Sequence, residues 1–275
     1  MSHQLDPKDA ETLRQLLCLP STLTPNTRVP LEALPVEELR RALGLPELRH
    51  TRFLSHECWL AGGRLLRWLG RKEDGPDDKG DYDFFFPSLQ ALERTAQRMR
   101  SEGYQFHRTL NQTRSFRGLV SGYIGDQEPA DSVFGPTGQE FHLSGRRLWG
   151  GALQYGLQFF SPEGDVIQLV HSPDGFRQEA RTLRVLLEGF DFTICQLGMD
   201  HQHIYAGTHA WADLLLRRLR RGDFPCQSPA YSTWRFHKYI RRGFRPYVGT
   251  VLNVYRGYVR YMAWRTRQRR RPLPA

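Results

Sequence analysis

The chain has 275 residues, 39% hydrophobic and 12% aromatic, enough to bury the core of one large domain or of a domain with an appendage. The sequence contains neither the apolar core of a secretion signal nor a run approaching the roughly 18 apolar residues of a membrane span. We therefore expect a cytoplasmic protein that does not contact a membrane. Its four cysteines are far apart and form no CxxC pair, so we interpret them as buried, unpaired thiols.

The net charge of +10 is concentrated near the carboxyl end. Residues 217–275 carry 16 Lys and Arg residues against one acid, Asp223, whereas the rest of the chain carries 23 basic and 28 acidic residues. Such a segment is typical either of a surface that binds a polyanion or of a solvated helix and tail.

Taken in chain order, three regions differ in their patterns. Residues 1–50 form a helical lead-in, with helical patterns over 10–17 and 31–43 that are separated by prolines. Residues 51–205 alternate strands and helices, which predicts an α+β domain with a mixed sheet flanked by helices. The predicted strands are 82–86, 153–160, 166–171 and 190–197, and the predicted helices are 63–69, 88–101 and 176–188. Residues 206–275 are predicted to form a basic helical region, with helices from 210, over 233–242 and over 248–268.

The strongest chemical signal lies within residues 60–86. This segment is predicted to form a strand, a turn at Gly62 and Gly63, a helix and an apolar strand that bears Asp81 and Asp83. A spacer of 17 residues, 64–80, separates Gly63 from Asp81. Residues two apart on a strand project from the same face, so the two carboxylates should lie side by side. Their repulsion raises a pKa or is cancelled by a cation, and hard oxygen ligands suit Mg²⁺. The free N–H groups at the helix start can face a phosphate.

This arrangement resembles the nucleotidyltransferase superfamily of the DNA polymerase beta type, which includes poly(A) polymerases and CCA-adding tRNA nucleotidyltransferases. The family signature is an apolar residue with two small residues, a spacer, and Asp-x-Asp or Asp-x-Glu on a strand. In this sequence it reads Ala61-Gly62-Gly63 and Asp81-Tyr82-Asp83. The resemblance covers residues 52–200 and implies a nucleotidyltransferase-like fold. It also implies that Asp81 and Asp83 are catalytic and hold two Mg²⁺ ions, and that a nucleoside triphosphate contacts Gly62, Gly63, Arg64 and Arg67.

Two features depart from the family pattern. The spacer is longer than the usual short helix and turn, so residues 71–80 are interpreted as an inserted, exposed loop. The run GGRLLRWLGRK is similar to the GGxVRDxLLGR helix of tRNA nucleotidyltransferases, but its spacing is off by one and its Asp is absent. This difference argues against assigning the CCA-adding subfamily.

The resemblance also implies a third acid on a later strand, for which there are two candidates. We favour Asp191, near the start of the predicted strand 190–197, over Asp165, which heads the strand 166–171. A turn or cap role for Asp191 is equally consistent with its position. Gln168 lies mid-strand where a carboxylate would be expected, and its neutral amide would be a poor metal ligand.

Other motifs give weaker signals. The spacing of His201, His203 and His209 matches no familiar zinc pattern, so we interpret them as exposed turn residues. The sequence contains neither a G-x-S-x-G nucleophile motif nor a G-x-x-x-x-G-K-[ST] phosphate loop. Hydrolases and P-loop proteins are thereby disfavoured.

The basic region alternates arginine with aromatic residues, a pattern that favours binding of phosphates and stacking of bases. We predict nucleic-acid contacts by Arg235, Lys238, Arg241, Arg242 and Arg245. On the last helix, the spacing of Val251, Tyr255, Tyr258 and Met262 predicts an inward-facing apolar stripe.

Together these patterns predict a metal-dependent transfer of a nucleotidyl group from a nucleoside triphosphate to a hydroxyl, with a nucleic-acid 3′ end as the favoured acceptor. The alternative is a nucleic-acid-binding or assembly protein that keeps the fold without catalysis. Because only a complete metal site supports transfer, the position of a third carboxylate should distinguish the two. The sequence leaves the nucleotide, the acceptor and the oligomeric state open.

Overall fold

A computed structural model describes residues 6–19, 34–70, 81–109, 131–134, 140–143, 146–147, 153–171, 182–222 and 229–269. Its helices are α1 (Pro7–Leu16), α2 (Val36–Leu43), α3 (Gly63–Leu69), α4 (Leu89–Ser101), α5 (Leu183–Glu188), α6 (Ala210–Leu215), α7 (Pro229–Arg241) and α8 (Val248–Arg269). Its strands are β1 (Leu34–Pro35), β2 (Trp59–Ala61), β3 (Tyr82–Phe85), β4 (Gln105–Thr109), β5 (Asp131–Phe134), β6 (Glu140–Leu143), β7 (Arg146–Arg147), β8 (Leu153–Phe160), β9 (Val166–His171), β10 (Leu197–Met199), β11 (His203–Ala206), β12 (Arg218–Leu219) and β13 (Arg245–Pro246). Within these ranges, no helix is both long and apolar enough to cross a membrane.

One mixed sheet of nine strands organises the molecule. Its order is β1-β11-β10-β2-β3-β9-β8-β4, with β7 paired to β8. The central neighbours β3 and β9 run parallel, and the other neighbours run antiparallel. Since 80 residues separate the end of β3 from the start of β9, the sheet brings together side chains from distant segments. The predicted α+β class, with a mixed sheet and flanking helices, is confirmed.

Alternation along β3 gives this part of the sheet a core face and an opposite face. Tyr82 and Phe84 are fully buried, whereas Asp81 and Asp83 are half-buried and project from the other face. On the core face, Phe84 pairs with Leu169 of β9, which is also fully buried. Burying a large apolar side chain contributes about 1.5–3 kcal/mol. The core residues therefore fix the strand register that positions the two aspartates.

One hydrophobic cluster draws residues from all three predicted regions. It includes Leu13 and Leu39 from the first region, Phe84 from the second, and Phe236 and Val254 from the third. The sheet also crosses the first predicted boundary, because β1 pairs with β11. The divisions at 50/51 and 205/206 stay predictions.

The prediction of a strand over 190–197 is wrong. Thr193–Cys195 forms a short 3-10 helix, and β10 begins only at Leu197. The Thr193 hydroxyl donates a hydrogen bond of 2.7 Å to the buried carboxylate of Asp213, and the Cys195 thiol lies 2.9 Å from the Tyr239 hydroxyl. These tertiary contacts favour a tight turn over the extended form that the apolar pattern favours.

The helix predicted over 31–43 begins only at Val36, because Leu34–Pro35 forms β1. Most other predicted elements are present with small shifts of their ends. The limits of α3, β8 and β9 agree with the predicted ones. Of the predicted helix 176–188, the described part is α5, and residues 176–181 lie outside the described residues. Cys58 and Cys195 are buried free thiols as expected, but Cys18 is exposed. Cys226 and the predicted loop at 71–80 lie outside the described residues.

Candidate active site

The glycine turn between β2 and α3 follows one of the central strands of the sheet. Gly62 has φ 85° and ψ −137°, a conformation that glycine adopts easily and that strains other residues. Its N–H donates to the Leu197 carbonyl of β10 over 2.9 Å. Around Gly63, an added Cβ would meet no atom within 4 Å. The turn is therefore fixed by the sheet at Gly62 and open to close approach at Gly63.

The two arginines predicted to bind a nucleotide lie on different sides of β3. Buried Arg64 donates to the Tyr82 hydroxyl over 2.6 Å, and its guanidinium lies 4.2 Å from the centroid of the Tyr82 ring. Tyr82 belongs to the core face. By contrast, the charge of Arg67 lowers the pKa of Asp81 and of Asp83. Of the two arginines, Arg67 is therefore the one whose charge stabilises the ionised aspartates.

Both aspartates have raised pKa values, although neighbouring cations oppose the rise. Burial raises the pKa of Asp83 to about 7, and the negative charge of Asp81 adds to that rise. Burial likewise raises the pKa of Asp81, although the charge of Arg67 and a hydrogen bond from Gln168 oppose the rise. Two neighbouring carboxylates that are partly shielded from water resist carrying two charges, and a bound cation stabilises the doubly charged form.

A row of polar side chains extends from Asp83 across three more strands. Asp83 pairs with Gln168 of β9, Gln168 pairs with Gln158 of β8, and Gln158 pairs with Arg108 of β4. The Gln168 amide donates to Asp81 Oδ2 over 2.6 Å. Arg108 Nε donates to Gln158 Oε1, also over 2.6 Å. Since paired residues share a face of a sheet, this row continues the face that bears the aspartates.

Helix α7 brings two cations towards the aspartates. The charges of Arg235 and Lys238 lower the pKa of Asp83. Burial lowers the pKa of Lys238 to about 8, and the neighbouring charges of Arg242, Arg67 and Arg235 add to this effect. The site therefore combines an acid pair that can take a metal with cations that can take phosphate oxygens.

The two candidate third acids both have cationic partners. Asp191 accepts a hydrogen bond of 2.7 Å from Ser232 Oγ and lies 3.1 Å from Arg235 Nη1. Asp165 lies 3.0 Å from His50 Nε2 and 3.3 Å from Arg49 Nη1.

Asp165 is separated from the aspartate pair by the sheet. Burial would raise its pKa, but the hydrogen bond and charge of His50, with the contribution of Arg49, lower it. The His50 ring packs edge-on against Tyr82, with 4.7 Å between ring centroids, on the core face. Gln168 is the residue that occupies the β9 position beside Asp83.

The five residues predicted to bind nucleic acid divide by exposure. Arg241 and Arg245 are exposed, and Arg242 is half-buried. Arg235 and Lys238 are also half-buried, on the part of α7 that acts on the aspartates. Of these five, only Arg241 and Arg245 have the exposure expected for contacts with a polymer.

The buried stripe of α8 differs from the predicted one. Thr250, Val254 and Tyr261 are buried, while Tyr255 and Met262 are 42% and 38% exposed. The prediction that Tyr255 and Met262 pack inward is therefore wrong. Val251 of the predicted stripe does pack against the core, and Tyr261, outside that stripe, is buried.

Comparison with known proteins gives similarity in structure only. No protein-family model matches the chain, and no curated protein sequence matches it. Among solved structures, it is similar to the Thermotoga maritima CCA-adding enzyme complexed with tRNA, with a TM-score of 0.42 and 14% identity over 73% of this chain and 37% of that one. It is also similar to a tRNA-processing enzyme in an apo form, with a TM-score of 0.40 and 13% identity over 91% and 47% of the two chains. A tRNA-processing enzyme with CTP gives a TM-score of 0.37 and 14% identity over 80% and 45%.

The chain thus spans less than half the length of these structures. The likeness is to a CCA-adding enzyme and to tRNA-processing enzymes. At this level of similarity it assigns no activity to the chain.

Sequence reasoning missed two members of the polar row, Gln158 and Arg108. A weak signal exists, because Gln158 interrupts the apolar run of β8 and is itself buried. The pairing of β8 with β9, which places Gln158 beside Gln168, is not visible in the sequence pattern.

Proposed function

We propose that the chain is a metal-dependent nucleotidyltransferase that moves a nucleotidyl group from a nucleoside triphosphate to a hydroxyl, with a nucleic-acid 3′ end as acceptor. The observation that carries the proposal is the pair of Asp81 and Asp83 on one sheet face, whose mutual repulsion contributes to raising the pKa of Asp83 to about 7. The cations of α3 and α7 act on the same pair. This combination suits a complex of a metal ion with a triphosphate, because carboxylates can bind the metal ion and basic side chains can bind the phosphate oxygens.

The donor set fits Mg²⁺. Asp81 and Asp83 would hold the ion through carboxylate oxygens, the ligand type that Mg²⁺ prefers. A bound cation would relieve the repulsion by Asp81, which adds to the effect of burial in raising the pKa of Asp83. When bound, the ion would supply charge for the leaving pyrophosphate and acidify the acceptor hydroxyl. A second ion at the same pair, as the family resemblance implies, forms part of the proposal.

The chain's own cations would bind and orient the triphosphate. Arg67 of α3 and Lys238 of α7 act on the aspartates from different elements, so they can neutralise phosphate oxygens from two sides. Gly63 leaves room for close approach of the triphosphate to the backbone. Asp191 would hold Arg235 in place through the 3.1 Å ion pair.

The exposed arginines of the carboxyl-terminal region would bind the polymer. Arg241 and Arg245 lie on the exposed side of α7 and at the start of β13. Their charges can contact phosphates without engaging the aspartate pair. This placement supports a division between residues that bind the nucleotide and residues that hold the acceptor.

One observation favours the alternative of a non-catalytic protein with the same fold. Gln168 lies directly beside Asp83, where a third carboxylate would complete the metal site, and its amide binds Asp81 over 2.6 Å. A neutral amide adds no negative charge to the site. In that case the chain would bind a nucleotide or a nucleic acid without transfer.

Incubation with each labelled nucleoside triphosphate, Mg²⁺ and mixed RNA or DNA tests the proposal. Incorporation by the wild type and its loss in Asp83→Asn are expected. Glu38→Gln, which removes an exposed carboxylate of α2, serves as a matched control and should remain active. Binding of triphosphate without incorporation would replace the transferase proposal by the non-catalytic one.

A further inference from the structure

Two turns at one end of the sheet bring metal-ligating side chains together, away from the aspartate pair. His56 lies in the turn before β2, and Asp200 and His201 lie in the turn after β10. Because β2 and β10 pair antiparallel, with Met199 opposite Leu60, the start of β2 lies beside the end of β10. The register of the sheet therefore dictates that these turns meet.

The side chains of the two turns are close enough to share an ion. The imidazole rings of His56 and His201 stand edge to face, with 4.7 Å between their centroids. One ligand atom from each of His56, Asp200 and His201 lies within 4.8 Å of the others. Rotation of the exposed imidazoles would bring their nitrogens to the distance of about 2.0–2.2 Å typical of zinc ligands, with water in the fourth tetrahedral position.

The carboxylate of the cluster is held in place by its surroundings. Asp200 Oδ1 accepts hydrogen bonds from the backbone N–H groups of Gln202 and His203, at 2.8 and 2.7 Å. Asp200 Oδ2 accepts one from the Tyr205 hydroxyl at 3.0 Å. Such outer contacts are typical of carboxylates that ligate metals.

We propose that His56, Asp200 and His201 form a binding site for a divalent transition metal of the zinc type, which joins the two turns. Two imidazoles and one carboxylate are borderline ligands that select zinc-like ions over Mg²⁺. Asp200 and His201 also line a cleft of about 220 Å³, which gives an ion a path to the site. The site is independent of the function proposed for Asp81 and Asp83.

Competitive titration of the full-length protein with Zn²⁺ and a chromophoric chelator tests this proposal. Mg²⁺ is kept in large excess so that it, rather than Zn²⁺, occupies the carboxylates of Asp81 and Asp83. One tightly bound Zn²⁺ per chain is expected. His56→Ala and His201→Ala should each weaken binding by about 10-fold or more, since each removes a ligand rather than an outer contact.

His107→Ala, a change of an exposed histidine on β4, is the matched control and should leave the affinity unchanged. Asp200→Asn keeps an oxygen acceptor for the turn and should bind Zn²⁺ more weakly. Thermal melts of each variant check folding, and Zn²⁺ should raise the melting temperature of the wild type but not of His201→Ala.

Substitution by Co²⁺ gives a second readout that a structural effect of the variants would not mimic. Visible d–d absorption without a near-ultraviolet thiolate band is expected from nitrogen and oxygen ligands. Equal Zn²⁺ affinity in the wild type and both histidine variants would overturn the proposal. So would the absence of bound Zn²⁺, or a thiolate band that assigns the ion to a cysteine such as exposed Cys18.

Discussion

Replacement of Asp83 by Asn should change how stability depends on pH. Burial and the charge of Asp81 raise the Asp83 pKa from 3.8 to about 7 in the folded state. The folded state therefore binds this proton more tightly than the unfolded chain does. Stability from this group is fully present below pH 3.8 and is lost as the pH rises to about 7.

The size of the effect follows from the shift. At about 1.4 kcal/mol per pH unit, a rise of roughly three units corresponds to about 4 kcal/mol. This value is an upper limit, because the Asp83 side chain is only half-buried and water screens its charge. Asn has no such titration. The variant should therefore gain free energy of unfolding relative to the wild type as the pH rises, by at most this amount.

Urea denaturation followed by circular dichroism from about pH 4 to about pH 8 measures the difference. Glu38→Gln controls for the general loss of a carboxylate and should show no such trend. At the upper pH, Mg²⁺ should stabilise the wild type more than Asp83→Asn, since a metal relieves the repulsion only when both carboxylates are present. A difference between wild type and variant that does not change with pH would refute the reasoning.

Four further predictions concern the surroundings of the site. Gln168→Glu should strengthen Mg²⁺ binding measured by calorimetry, because it places a third carboxylate beside Asp83; unchanged affinity would mean that this position does not reach the metal. Asp191→Asn should lower the free energy of unfolding by about 3 kcal/mol, because it leaves Arg235 without this partner; lost metal binding at unchanged stability would instead make Asp191 a ligand. Gly62→Ala should cost about 1–2 kcal/mol in urea denaturation because of its positive φ, whereas Gly63→Ala should not destabilise the protein. Deletion of residues 265–275 should flatten the salt dependence of nucleic-acid affinity in filter binding, by about 0.7 in log–log slope for each single-strand phosphate that the shortened chain no longer binds; identical slopes would make this segment a solvated extension.

The sequence was informative where one short segment decides the structure. The alternation of Asp81, Tyr82, Asp83 and Phe84 predicts β3 and the common face of the aspartates, because a strand has a period of two. The turn at Gly62 was equally clear, since few residues other than glycine adopt its conformation. In both cases local geometry alone determines the outcome.

Prediction failed where distant segments meet. The position of Gln168 beside Asp83 depends on a parallel strand pairing between residues 85 positions apart. The hydrophobic periodicity of a sequence does not reveal which strands pair. The ion pair of Asp191 with Arg235 likewise joins elements 44 residues apart. On α8 the spacing predicted that Tyr255 is buried, whereas the structure buries Tyr261 and leaves Tyr255 exposed. Tertiary contacts settle such choices, and a single sequence does not contain them.

The most direct test of the account is a crystal structure with Mn²⁺ and a non-hydrolysable nucleoside triphosphate. The account predicts an anomalous peak between the carboxylates of Asp81 and Asp83, with the triphosphate extending towards Arg67 and Lys238. A bound triphosphate without a peak at this pair, or a pair neutralised by a side chain of α7 in place of a metal, would contradict it.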